Sequence, residues 1–150
     1  MKQGDAFSED GVSGEILWPD DLSEGQSAKN DDSLVMRLTD GSESFLLAGD
    51  IERPSERKML AEKQDVGVNF LKVAHHGSKT STTDPFLSAA HPAFAAISVG
   101  WENIFGHPSP EVTDRLEAAV VRVFRTDRDG AVTASTDGST LSVSTFLSAK

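Results

Sequence analysis

The sequence predicts a layered α/β fold, of the α+β kind, built on a mixed sheet. Two observations predict it. Apolar runs at 45–48, 70–74 and 94–99 alternate with helical stretches at 54–64, 84–90 and 110–119, the pattern of strands joined by crossover helices. On either side of that run stand Asp-Gly pairs, Asp40-Gly41 before it and Asp129-Gly130 and Asp137-Gly138 after it. Such pairs mark tight hairpins and therefore antiparallel strands. Parallel and antiparallel pairings together give a mixed sheet.

Each element has its own reason. Residues 1–13 read as a loose polar lead-in. Glu15-Ile16-Leu17-Trp18 is a short strand stopped by Pro19. Residues 19–32, rich in Asp, Ser, Gly and Asn, read as a loop. Ser33–Thr39 is a strand, Asp40-Gly41 its turn, Ser44–Ala48 the returning strand, and Gly49-Asp50 ends it. Pro54 suits a first helical turn, and residues 54–64 carry few β-branched side chains. Residues 69–74 form a buried strand that runs into His75-His76-Gly77-Ser78. A hydroxyl-rich loop leads to a helix from Asp84-Pro85 to Ala90. Phe94–Val99 is the next strand, and Gly100–Pro108 a loop. Ser109-Pro110 opens a helix with Val112, Leu116 and Ala119 on one face. Val120–Arg125 is a strand, with Asp129-Gly130 read as a hairpin turn back into Ala131–Ser135. Asp137-Gly138 turns into the last strand, Thr140–Phe146.

At 150 residues the chain is predicted to form a single domain with one core. Lys and Arg number 14 against 24 Asp and Glu, a net charge of −10, which disfavours non-specific nucleic-acid binding through phosphates. Acidic residues cluster at Asp20, Asp21, Glu24, Asp31 and Asp32 and read as a solvated surface. With no cysteine, disulfides, zinc–thiolate sites and thiol nucleophiles are excluded. No apolar run reaches the roughly 20 residues of a membrane span, and no signal peptide is visible at the start.

The candidates for chemistry stand at strand ends. Asp50 follows an apolar strand and a glycine, where a carboxylate suits a metal ion; such an aspartate is also the ordinary residue of a turn or helix start. His75 and His76 join the end of a buried strand. Imidazole is both a metal ligand and a base near neutral pH, and a packed, hydrogen-bonded pair is the other reading. On an extended chain the two would face opposite ways, one toward the site and one supporting it. His107, between Gly106 and Pro108, is a third station or a cap-region histidine. His91 receives no role. A Ser78–His75–Asp50 triad is conceivable, but no nucleophile-elbow pattern surrounds the serine. One aspartate and two histidine stations converging on one sheet edge would have the design of a binuclear metal hydrolase.

Taken in order, these residues resemble the latter half of a metallo-β-lactamase-fold domain of the ComEC type. The resemblance runs from about Ile16 to Val143. It rests on Leu17-Trp18-Pro19, Asn30 with Ser33-Leu34-Val35, Phe45-Leu46-Leu47-Ala48-Gly49-Asp50 and Leu71-Lys72-Val73-Ala74-His75-His76-Gly77-Ser78. It continues through Ile97-Ser98-Val99-Gly100 with Asn103, Gly106-His107-Pro108, Arg125-Thr126-Asp127 and Gly130. The resemblance implies an αββα sandwich with a metal site at the edge of two sheets. It implies phosphodiester hydrolysis, nuclease-like, by a metal-activated water, with a divalent cofactor, zinc or manganese, and a setting in competence and DNA uptake with nucleic acid as substrate. Asp50 then matches the metal-bridging aspartate, His75 the site histidine and His107 a later histidine near it. Asp50 and His75 become the catalytic pair, and His76, Ser78 and Asn103 support them.

The chain departs from the pattern at one point. The H-x-[HD]-x-D-H cluster of the superfamily is absent, since no histidine precedes His75. Two ions at roughly four ligands each cannot be held by the stations present. The expectation is a domain lacking its N-terminal metal-binding half, with weak metal binding and little hydrolysis alone. An uncovered apolar sheet face would favour a homo-oligomer or a partner supplying the missing half. The alternative is a catalytically silent binding or structural module, or half of a split enzyme.

Overall fold

The alternating apolar runs become one seven-stranded sheet in sequence order. A computed structural model describes residues 1–20 and 29–147; Asp21 and Glu24 of the acidic stretch lie outside them. The strands are β1 (Ala6–Glu9), β2 (Val12–Trp18), β3 (Val35–Asp40), β4 (Glu43–Leu47), β5 (Phe70–Lys72), β6 (Phe94–Ile97) and β7 (Arg122–Arg125). β1 to β4 form an antiparallel meander, and β4 to β7 are parallel. The predicted mixed α/β architecture is therefore what the chain adopts.

Helices α1 (Arg53–Ala61), α2 (Asp84–Ala90) and α3 (Pro110–Ala118) are the three crossovers between parallel strands. Each carries proline in its first turn, where the missing N–H has no intrahelical partner to lose. Strand order advances in one direction from β4 to β7, so right-handed crossovers put all three helices on one face. That face holds the core. Leu46, Leu71 and Ala95 align across the strands and pack with Met59, Phe86, Val112 and Leu116, all fully buried. Each large side chain buried there contributes about 1.5–3 kcal/mol.

The opposite face is also apolar. Leu38, Phe45, Phe70 and Phe94 form one row across it, and Met36, Leu47, Lys72, Ala96 and Phe124 the next. Phe45 meets Phe70 at 5.7 Å and Phe94 meets Phe124 at 6.4 Å between ring centroids. Among the described residues, none of the three crossover helices covers this face. A separate ribbon of β8 (Val132–Thr136) and β9 (Leu141–Thr145) follows β7, its tip tied to the β3–β4 turn where Gly138 O accepts from Ser42 N–H at 2.8 Å. The ribbon is narrower than the sheet, and Phe45 and Phe94 stay partly exposed.

Two expectations are corrected. Residues 1–13 are not a loose lead-in. β1 and β2 pair as a hairpin about Asp10 and Gly11, whose φ values of 50° and 89° suit a tight two-residue turn. β1 buries nothing, so no hydrophobic alternation marks it. Asp129-Gly130 is not a hairpin turn from β7. Thr126–Asp129 forms one helical turn, α4, because Asp129 Oδ2 accepts the Arg125 N–H at 2.7 Å. β8 then pairs with β9 and not with β7.

Candidate functional site

Because β4 to β7 are parallel, their carboxyl ends lie along one edge, where ligand sites of open α/β sheets form. Asp50 follows β4, His75 and His76 follow β5, and Ser98, Asn103 and His107 follow β6. The structure thus brings the sequence-predicted residues to one edge of the sheet.

The histidine turn is built by backbone geometry that the sequence reading did not foresee. The chain after β5 is not extended. His75 and His76 take left-handed conformations, φ 46° and 53°, and Gly77 follows at φ 81°. Non-glycine residues in this region carry strain and concentrate at functional sites. Gly77 is also required sterically, since a Cβ there would stand 2.6 Å from Pro108 Cβ. The turn is held by His75 N–H donating to Gly49 O at 3.1 Å and by Ser109 N–H donating to Gly77 O at 2.8 Å.

The two histidines diverge. His76 Nδ1 lies 2.6 Å from Ser98 O. A carbonyl can only accept, so Nδ1 carries a proton, which in the neutral ring leaves the lone pair on Nε2. That Nε2 stands 3.8 Å from Asp50 Oδ1. A histidine fixed through one nitrogen by a backbone carbonyl, with the other nitrogen free, is the usual arrangement of a metal-ligating imidazole. His75 turns the other way. Glu52 Oε1 lies 3.1 Å from its Nδ1, obliquely, so that Nδ1 makes no well-formed hydrogen bond. Asn30 Nδ2 lies 3.4 Å from its Nε2.

His107 sits edge-on to His75, 5.7 Å between centroids, and flat against Phe105 at 6.1 Å. Its Nδ1 is buried with no hydrogen-bond partner. Burial first, then repulsion from His75 and His76, lowers its pKa below the ordinary histidine value. Asn103 braces the loop that carries it: Oδ1 accepts the His107 N–H at 3.0 Å, and Nδ2 donates to His107 O at 2.7 Å.

Ser78 is buried, and its hydroxyl pairs with Thr80 Oγ1 at 2.9 Å. No Ser78–histidine hydrogen bond forms, so the triad geometry is absent. Asp50 is held by its N–H, which donates to Ser33 Oγ at 3.1 Å, and its carboxylate is 39% exposed. Lys72 on β5 lies near it; burial lowers the ammonium's pKa, and the Asp50 charge offsets this in part.

Sequence reasoning missed Glu52, and read Thr80 only as one of the loop hydroxyls near Ser78. Thr80 Oγ1 donates to Glu52 Oε1 at 2.7 Å, so the carboxylate beside His75 is itself anchored. The signal was present: Glu52 stands two residues after Asp50, in the same strand exit. Among the described residues, no three His, Asp or Glu side chains converge on a point that could hold an ion. The stations share an edge without forming a complete ligand set.

No protein-family model matches the chain. It is 33% identical over 132 residues to the ComE operon protein 3 of Bacillus subtilis strain 168, covering 88% of this chain and 17% of that protein. It is 32% identical over 124 residues to the competence protein ComA of Neisseria gonorrhoeae, covering 82% and 18%. It is 38% identical over 105 residues to recombination protein 2 of Haemophilus influenzae, covering 70% and 13%. The chain spans less than a fifth of the length of each. Over most of its length, then, this chain is a relative of one portion of proteins named for competence and recombination.

Proposed function

We propose that the chain supplies part of a divalent-metal phosphodiester hydrolase acting in DNA uptake, and that it turns over poorly without the residues that complete the site. The observation that carries this reading is the gathering of Asp50, His75, His76 and His107 at one sheet edge, with His76 Nε2 3.8 Å from Asp50 Oδ1. The relatives' names support the setting. Carboxylate and imidazole donors suit zinc, and carboxylate also suits manganese. Such an ion would supply an activated water as nucleophile.

Asp50, His75 and His107 are the ligands by resemblance, and His76 joins them on geometry. They fit one side of a metal site and do not fill one. Within this chain, Ser98 fixes the His76 tautomer, Glu52 and Asn30 flank the His75 ring, and Asn103 holds the His107 backbone. The open sheet face, with Phe45 and Phe94 partly exposed, is where a completing half would pack, from a second copy or a separate chain. Light scattering that finds only monomer would count against that packing.

Titration with zinc and with manganese by calorimetry, beside an assay on a generic phosphodiester, tests the reading. Weak binding and little turnover are expected. Asp50→Ala should remove the weak binding while changing stability by no more than about 0.5 kcal/mol, as befits an exposed side chain. His76→Ala against His75→Ala decides which ring faces the ion. Tight stoichiometric binding with robust turnover, lost in Asp50→Ala, would overturn the claim that the site is incomplete.

A second reading is a catalytically silent binding module. It is favoured by the absence of three convergent donors among the described residues and by the internal partners already held by His75 and His76. Metal affinity that survives Asp50→Ala unchanged would select it.

A further inference from the structure

β7 ends the seven-stranded sheet, and among the described residues no strand pairs with its outer edge. Alternation along the strand decides which backbone groups that edge presents. The Arg122 N–H donates to Ala93 O at 3.0 Å, so Arg122 and Phe124 turn their backbone groups toward β6, and Val121, Val123 and Arg125 turn theirs outward. Two of the outward N–H groups are satisfied within the chain: Val121 N–H donates to Leu116 O at 3.0 Å, and Arg125 N–H to Asp129 Oδ2 at 2.7 Å. The Val123 N–H and C=O and the Val121 C=O have no partner among the described residues. Beside them runs a groove of about 660 Å³, lined by Val121 and Val123, by Thr113 and Glu117 of α3 and by Arg128 and Asp129 of α4, among others. An open strand edge next to a helix is the form of site that takes an extended peptide as a further strand.

The charges of the groove point to one kind of segment. Arg125 is held by Asp127, Nε to Oδ1 at 3.0 Å and Nη2 to Oδ2 at 2.6 Å, and the Asp129 carboxylate is engaged with the Arg125 N–H. Arg122 and Arg128 are both exposed and enter no salt bridge among the described residues; Arg122 rests over the Phe124 ring, 5.3 Å from its centroid. On a chain of net charge −10, an edge flanked by two unpaired guanidinium groups, against the single remaining carboxylate of Glu117, favours carboxylates on an incoming strand. Val120, 89% exposed just before β7, adds an apolar contact. A second copy of the chain fits poorly. Two β7 edges pairing about a two-fold axis through the open Val121 and Val123 groups bring Arg122 opposite its own copy or diagonal to it on the same face, and like charges there destabilise the pair. Charged side chains on an edge strand discourage self-pairing in this way.

We propose that the outer edge of β7 receives an extended, carboxylate-bearing peptide segment from outside this chain, added to the sheet as its eighth strand. Main-chain bonds to Val123 hold the segment, alternate side chains enter the groove beside α3, and carboxylates meet Arg122 and Arg128. One fully open residue makes a short ladder, so the charges carry the selectivity. The surface is lateral, distinct from the strand ends that bear Asp50 and the histidines, and it does not depend on the hydrolase reading.

The test is fluorescence anisotropy of a labelled, end-blocked heptapeptide of alternating glutamate and valine flanked by threonine, titrated with the full chain at low salt. A second probe has lysine in place of each glutamate. Wild-type protein should bind the glutamate peptide and leave the lysine peptide largely free. The double variant Arg122→Glu with Arg128→Glu should lose about tenfold on the glutamate peptide, as two exposed ion pairs together allow, and should gain affinity for the lysine peptide. Both replaced side chains are exposed, and a circular dichroism spectrum checks the fold. Two further glutamate peptides carry N-methyl groups on alternate sets of amides. Only one set lies on the paired edge of a strand, so one of these peptides should bind and the other should not. Amide exchange at Val123 should slow when the unmethylated glutamate peptide is added. No binding of that peptide, equal binding of the two charge forms, equal binding of the two methylated forms, or an unchanged Val123 amide would each overturn the proposal. So would a dimer at sedimentation equilibrium whose Val123 amide is already protected without peptide, which would assign the edge to a second copy.

Discussion

Two loops flank the histidine turn, and they are built on opposite principles. The loop at 78–83 buries Ser78, Ser81 and Thr82 and is tied from several directions. Glu56, fully buried on α1, accepts hydrogen bonds from Thr82 N–H, from Thr83 N–H at 2.9 Å and from Thr83 Oγ1 at 2.6 Å. Arg115 on α3 donates to Ser81 O at 3.3 Å and Thr82 O at 2.9 Å. The loop at 100–107 is exposed and rests on a single amide, Asn103. One loop fixes the back of the turn to the helical layer, and the other presents rings to solvent.

The largest effect expected of that comparison belongs to Glu56. Glu56→Ala strands the buried Thr82 N–H and the part-buried Thr83 N–H and removes one of the carboxylates near Arg115, which keeps Asp84 at 3.5 Å. At about 1–3 kcal/mol for each stranded donor, a loss of about 3 kcal/mol in urea unfolding is expected. A loss below about 1 kcal/mol would mean that the loop finds other partners, and that the contrast between the two loops is one of exposure alone.

The pH dependence of the same residue sharpens the point. Burial raises the Glu56 pKa above its ordinary 4.5, and the hydrogen bonds from Thr83 and Thr82 and the Arg115 charge oppose this only in part. An acid whose folded pKa is raised binds more protons folded than unfolded. Its stabilising contribution is full below the unfolded value, about 4.3, and is lost as pH rises through the folded value. Glu56→Gln removes the titration. The stability of wild type minus that of Glu56→Gln should therefore fall as pH rises above this range. Asp127, which the Arg125 hydrogen bond holds below the usual carboxylate range, shifts in the other direction but is common to both proteins and cancels. A difference that is flat or rises with pH would contradict the raised pKa.

The sequence carried much of this architecture, unevenly. α2 was legible to its ends, Asp84 and Ala90, because a proline opens it and a proline lies just beyond it. The β8–β9 hairpin was legible from Asp137-Gly138. The β1–β2 hairpin was not, because its outer strand buries nothing and so writes no pattern into the sequence. The candidate residues could be picked out one by one, as polar side chains at the ends of apolar runs. Their relation could not. Alternation on an extended chain separates His75 from His76 by face; the left-handed turn separates them by partner, one to Glu52 and Asn30, the other to Ser98 and Asp50. Backbone handedness at two adjacent histidines has no compositional signal beyond the glycine that follows. Glu56 was equally hidden, since a charged residue in a helix of mixed composition reads as surface until the loop it anchors is seen.

The smallest effect expected, and the most local, is at Asn103. Asn103→Ala removes the bonds to the His107 N–H and carbonyl and a weaker one to Gly100 O at 3.3 Å. At about 0.5 kcal/mol each, the low end for bonds that water can replace, the loop loses about 1–2 kcal/mol of local order. Little of that should reach the global unfolding midpoint, because the core does not lean on residues 100–107. Amide hydrogen exchange within 101–107 should quicken by about 5- to 30-fold, the factor that 1–2 kcal/mol represents, while exchange in β5 and β6 stays unchanged. Asn103→Asp keeps the acceptor and loses the donors, and should fall between. If Asn103→Ala instead lowers global stability as much as Glu56→Ala, the two loops are one cooperative unit. The rings at Trp101 and Phe105 would then owe their placement to the core and not to a single amide.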